Sequence, residues 1–161
     1  MKKLLILLLI ISICPSVYAS GHSERNYRTF YKKTAENISE RLPNGTKLTV
    51  VPLSNNIFEA KIVSEMIQVL LATNSLILVN RNQIELEKIR EEAEFQLLGN
   101  VPEESAVLLG RLLEVDSIVV VSITHINYKY GNINIRVISV ESGQIHFNTI
   151  KKVRYRILAN M

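Results

Sequence analysis

The sequence predicts an α/β (α+β) domain, a mixed sheet of about five strands with helices packed on it, in the order α-β-α-β-α-α-β-β-β. Three observations predict it. Two short runs rich in β-branched or aliphatic residues, "KLTVVPL" and "SLILVN", alternate with segments of helical periodicity. The last third changes character and reads as three strands separated by tight turns, an antiparallel meander. Hydrophobic residues make up 47% of the 161, which suits one ordinary core rather than a disordered or membrane-filling chain.

The chain opens on Lys2-Lys3 and then an apolar run from Leu4 to Ile13 broken only by Ser12. Such a run fits the core of a signal peptide but is too short for a spanning helix, which needs about 20 residues. Val17-Tyr18-Ala19 offers small residues at the right spacing, so cleavage before Ser20 is the expectation, with 1–19 as signal peptide. Lipidation at Cys14 is the alternative. It fits poorly, because Ile13 is bulky where a small residue belongs and Pro15 follows directly. Cleavage after Ala19 removes the only cysteine, leaving no disulfide, zinc-thiolate or cysteine nucleophile. The formal charge then falls from +4 to +2 with the loss of Lys2 and Lys3, too little to imply a nucleic-acid partner.

Residues 20–46 form an N-terminal extension, loose over 20–26. Tyr27, Tyr31, Thr34, Ile38 and Leu42 then recur at three- and four-residue steps, an amphipathic helix that stops at Pro43-Asn44-Gly45. After the Lys47–Leu53 strand, Asn55 or Asn56 caps a helix running to about Thr73. Its polar residues, Lys61, Ser64, Glu65 and Gln68, make one narrow stripe, so most of its girth is expected to be packed. Ser75–Asn80 reads as a buried strand, and "NQIELEKIREEAEFQ" as a charged helix with Leu86, Ile89 and Ala93 inward. Pro102 suits a first helical position, with Glu103 and Glu104 in the positive first turn. Leu108, Leu109, Leu112 and Leu113 carry that helix onto the core. "SIVVVSITHIN", "INIRVISVES" and "QIHFNTIKKVRYRI" follow as strands, with turns at Tyr130-Gly131-Asn132 and Ser142-Gly143.

No catalytic constellation assembles. Asp116, the only aspartate, stands where a helix hands over to a strand and reads as a turn cap. Glu103 and Glu104 point apart on a helix, and Glu91, Glu92 and Glu94 read as a solvated face. The serines lack a nucleophile elbow, and the glycines are scattered singly. His125 and His146 lie on different strands and are the one pair for which metal is considered, without a third ligand; they read as sheet-edge residues. No cofactor is expected.

Two features suit recognition. "INYKYGN" puts Tyr128 and Tyr130 at a hairpin tip around Lys129, where tyrosines offer contact area at small entropic cost; packing across the hairpin is the simpler alternative. In "KKVRYRI" the period of two puts Lys152, Arg154 and Arg156 on one face and Val153, Tyr155 and Ile157 on the other. That cationic face suits an anionic partner, or simply protects a terminal strand from edge-to-edge pairing.

Taken in order, "LTVVPLSNN", "LILVNRNQIELEKI" with Gln83-Ile84, "LLGRLLEVDSIVVVSIT" with Asp116 at the turn, and "IRVISVESGQI" with Gly143 resemble a bacterial envelope superfamily. It contains the curli secretion component CsgG, the penicillin-binding-protein activator LpoB, the flagellar protein FlgO and the N-terminal domain of TolB. The likeness covers about Lys47 to Lys152, within a domain taken as 47–158. It implies an anticodon-binding-domain-like fold that serves assembly or scaffolding without catalysis. The implied location is the periplasm, at the inner face of the outer membrane. The implied partners are envelope proteins, further copies of the chain as in the channel-forming relatives, or the peptidoglycan machinery. The long pore-forming hairpins of the curli channel have no counterpart, since spanning strands need about 9–11 alternating residues each and no spare segment exists. Activation of a penicillin-binding protein is the alternative role. A small periplasmic hydrolase or metal-dependent enzyme is the alternative from another class.

Overall fold

The computed structural model describes the backbone of residues 15–54, 56–79 and 102–154, and the side chains of 26–54, 56–79, 104 and 106–154. Helix α1 (Pro15–Arg41) leads into strand β1 (Lys47–Pro52), helix α2 (Ile57–Leu71) and a short strand β2 (Ile77–Leu78). Helix α3 (Pro102–Leu112) then precedes β3 (Ser117–His125), β4 (Tyr130–Ser139) and β5 (Ile145–Arg154). The charged helix expected from Asn82 to Gln96 lies outside the described residues.

The five strands form one mixed sheet in the order β2-β1-β3-β4-β5. β1 runs parallel to β2 and β3, and β3, β4 and β5 are the antiparallel meander. The α+β class with helix-linked strands followed by a meander is therefore what the chain adopts.

Each sheet face has its own core. On one face α1 and α2 lay Tyr27, Tyr31, Ile38, Ile62, Met66 and Leu70 against Leu48, Val50, Val119, Val121, Ile133, Ile135, Val137 and Val153. All five positions of the predicted α1 stripe are buried, Thr34 among them. On the other face α3 sets Ala106, Leu109 and Leu113 against Val51, Ile118, Val120, Ile138 and Val140. Burying an aliphatic side chain of this size contributes roughly 1.5–3 kcal/mol, so truncating Met66 to alanine is expected to cost about 2–5 kcal/mol.

Four expectations change. Residues 20–26 are helical rather than loose, because α1 begins at Pro15 and propagates without a break into the anchored Tyr27–Leu42 stripe. Extending an existing helix adds one hydrogen bond per residue fixed, so the tertiary anchor carries the polar segment with it. The buried strand expected over Ser75–Asn80 is not found in its described part, 75–79: β2 is two residues long, sits at the sheet edge and leaves Ile77 51% exposed. A continuous apolar run does not distinguish an edge from a centre. Leu112 is also exposed, since the α3 stripe runs through Ala106, Leu109 and Leu113. Finally, the β3–β4 turn lies over Ile126–Lys129, and Gly131 is a ladder residue opposite His125.

Helix ends explain several loops. Asn56 caps α2, its Oδ1 accepting from Phe58 N at 2.9 Å. α3 ends with Val115 N donating to Gly110 O and Glu114 N to Arg111 O, with Glu114 in the left-handed region at φ 55°. That pair of bonds is a Schellman closure. Asp116 then joins strands: its backbone N donates to Lys47 O and its Oδ2 accepts from Lys47 N, both at 2.8 Å. Asp116 thus stands at the helix-to-strand turn as expected, but its carboxylate receives the first N–H of β1 rather than one of its own turn.

Candidate interaction surface

The β3–β4 hairpin tip is organised by Asn127, whose Oδ1 accepts from Lys129 N at 2.9 Å and from Tyr130 N at 3.0 Å. This Asx turn moves the bend ahead of Tyr130, so the two tyrosines part company. Tyr128 projects from the tip, 84% exposed, with the Lys129 ammonium 5.1 Å from its ring centre. Tyr130 is the first residue of β4, opposite Arg154 of β5.

That register brings the two sequence features together. Val153 is buried against α1 and α2, so its neighbours Lys152 and Arg154 emerge on the opposite face beside Tyr130, as the period of two requires. The Arg154 guanidinium lies 5.3 Å from the Tyr130 ring centre, and its Nε donates to Tyr130 Oη at 2.9 Å. The Lys152 ammonium lies 4.9 Å from the same ring. Tyr130 is thus a platform holding two cations, each attracted by the ring's negative face. Arg156, Tyr155 and Ile157 lie outside the described residues, as does Cys14.

The edge of β5 is steadied from α1. Tyr27 Oη donates to Lys152 O at 3.5 Å, and Arg41 Nη1 donates to His146 O at 3.4 Å. Burial raises the Tyr27 phenol above its ordinary pKa, partly offset by Arg154. Lys151 turns the other way, over the Phe30 ring at 5.9 Å.

The histidines are not brought together. His125 stands opposite Gly131, whereas His146 sits beside the irregularity at Val137/Ile138 at the far end of β4. At about 3.4 Å per residue the interval from Gly131 to Val137 is roughly 20 Å, far beyond the span of a shared metal ion. A metal site built on that pair is therefore ruled out by register. Among the described residues no group of three or more His, Cys, Asp or Glu could hold a metal ion. No described helix is long and apolar enough to cross a membrane.

Sequence reasoning passed over Glu59. It is only 3% exposed, with Oε2 accepting from Ser54 N at 2.8 Å and Ser54 Oγ at 3.0 Å, and Oε1 from Ile123 N at 2.8 Å. It occupies the third position of α2 after the Asn56 cap, where a glutamate reaches back to free N–H groups. Here it also closes β3 beyond the end of β1. The signal was present in the spacing from Asn56. The pairing with Ile123 was not, because it depends on register between distant strands. This carboxylate is occupied by structural donors.

No protein-family model matches the sequence, and no curated protein matches it. Solved structures do. The chain is similar to the LpoB C-terminal domain from Salmonella enterica, with a TM-score of 0.53 and 15% identity over 76% of this chain and 93% of that one. The LpoB C-terminal domain from Escherichia coli aligns with a TM-score of 0.50 and 14% identity over 76% of this chain and 97% of that one. The NMR structure of E. coli LpoB gives a TM-score of 0.53 at 15% identity over 76% of this chain, spanning 65% of the longer LpoB chain. At such identities the likeness is one of architecture: this chain has the fold of the LpoB C-terminal domain.

Proposed function

We propose that the chain is an exported, non-enzymatic protein of the bacterial cell envelope that acts by protein–protein contact through the hairpin end of β3, β4 and β5. The observation that carries this reading is the Tyr128–Lys129–Tyr130 tip joined to Lys152 and Arg154. An 84% exposed tyrosine at the tip of a hairpin whose next tyrosine holds an arginine is the composition of an interface hot spot. Export rests on the Lys2–Ala19 segment, with cleavage before Ser20 and residence in the periplasm, at the inner face of the outer membrane. The partners are envelope proteins, with further copies of the chain engaged through surfaces other than a two-fold contact of this end.

The fold likeness to LpoB C-terminal domains favours a second, finer reading, activation of a penicillin-binding protein. Crosslinking in intact cells followed by mass spectrometry tests both. The expected result is a chain beginning at Ser20 joined to an envelope protein through the hairpin end. A penicillin-binding protein in that adduct supports the finer reading. Recovery of the uncut chain free in the cytosol would end the proposal.

A further inference from the structure

Resting on the protein-contact reading, we infer that the Tyr128/Lys152/Arg154 surface recognises a carboxylate-rich segment of a partner protein. Three cations, Lys129, Lys152 and Arg154, gather here on exposed side chains, and no carboxylate among the described residues pairs with any of them. The ion pair Lys32–Glu36 lies elsewhere, on α1.

The geometry selects the anion. Arg154 commits its Nε to Tyr130 Oη, which fixes the guanidinium plane and leaves the terminal amino groups for a ligand. A planar fork held in this way matches a carboxylate with two parallel hydrogen bonds. Lys152, 4.9 Å from the centre of the Tyr130 ring, supplies a second positive centre on the same sheet face. Tyr128, with Ile126 47% exposed beside it in the loop, adds apolar contact that a purely electrostatic site lacks. Anionic lipid is a weaker fit. Recruitment to a membrane surface uses clusters of about 4–8 basic residues, and among the described residues this face carries three, since Lys151 points to the α1 side. A second copy of the chain is also a weaker fit, because like charges would meet across a two-fold contact.

The test uses the purified chain from Ser20 onward and three probes: a short glutamate- and leucine-containing peptide, the same peptide with glutamine for glutamate, and phosphatidylglycerol vesicles. The glutamate peptide is expected to bind at least about tenfold more tightly than the glutamine peptide, and the double variant Lys152→Glu/Arg154→Glu to lose about tenfold. Arg154→Lys keeps charge but not the fork and is expected to fall between, with unchanged circular dichroism in each variant. A photo-crosslinker at position 128 in cells is expected to mark an acidic stretch of an envelope protein. Equal binding of both peptides, or unaltered binding by the double variant, overturns the inference. An in-cell adduct with a protein through a non-acidic stretch also overturns it, while leaving the protein-contact reading intact. Adducts with lipid or glycan alone, or vesicle binding without peptide binding, overturn both.

Discussion

Arg154 and Tyr130 face each other across the β4–β5 ladder, with the arginine Nε donating to the phenol oxygen at 2.9 Å while the guanidinium lies 5.3 Å from the ring centre. Both side chains reach solvent, so the pair orients a charge more than it holds the sheet together. Tyr130→Phe keeps the ring and loses the acceptor, and its stability is expected to change by less than about 0.5 kcal/mol. Tyr130→Ala also removes the cross-strand contact and both cation–ring contacts and is expected to cost about 1 kcal/mol. Urea midpoints check both values, and NMR of the arginine Nε–H checks that the phenylalanine variant frees the guanidinium.

Glu59 contrasts with that exposed pair. It accepts three bonds from Ser54 and Ile123 in a nearly sealed position, so removing it strands donors that water reaches poorly. Glu59→Ala is expected to destabilise by about 3 kcal/mol. Glu59→Gln keeps the shape and one acceptor but turns an amide N–H toward donors, and is expected to lose roughly half as much. Urea unfolding of the two variants measures the difference, and a neutral result for alanine would mean that Ser54 and Ile123 find other partners.

What was legible in the sequence was whatever depends on local periodicity. The α1 stripe from Tyr27 to Leu42, the meander and the alternation of Lys152, Val153 and Arg154 each follow from spacing along one segment. What was not legible depends on register. The meeting of Tyr130 with Lys152 and Arg154 is decided by where the hairpin bends, and that is decided by one side chain, Asn127 Oδ1, outcompeting the glycine signal at Gly131. The edge position of β2 and the Glu59–Ile123 bond are likewise properties of the assembled sheet. The tyrosines and cations of the candidate surface were therefore named in advance as two separate features, and their union came only with the fold.

Tyr31 carries a prediction in which a deletion stabilises. Its side chain is fully buried and its hydroxyl has no hydrogen-bond partner among the described residues, so the O–H gives up water without compensation from them. Tyr31→Phe is expected to gain about 1 kcal/mol. Burial, followed by the charges of Glu65 and Tyr27, raises the Tyr31 phenol pKa well above its ordinary value, so the neutral form is the folded one. Below about pH 10 the unfolded phenol is neutral too and the group adds no pH dependence. Above that, the unfolded state loses its proton first and stability falls until the folded phenol titrates. Unfolding free energies measured across the alkaline range should show this slope in the parent chain and a shallower one in Tyr31→Phe.

Gly110 lets α3 come close to the end of β4 at Val140. A Cβ built there would sit 3.4 Å from Val140 Cβ and in outright collision with Val140 Cγ2. Both residues lie in the α3 core, and valine has one rotatable bond with which to escape, so the helix or the strand end must move. The shift is coupled to the Schellman closure, since Gly110 O accepts from Val115 N and Val140 N donates to Asp116 O. Gly110→Ala raises helix propensity by about 1 kcal/mol, which would stabilise an exposed site. Overpacking here is expected to outweigh it, for a net loss of about 1–2 kcal/mol by urea unfolding. Adding Val140→Ala to Gly110→Ala makes room for the new methyl, so the two losses should be less than additive. Full additivity would show that the contact at Gly110 is not what limits the approach of α3.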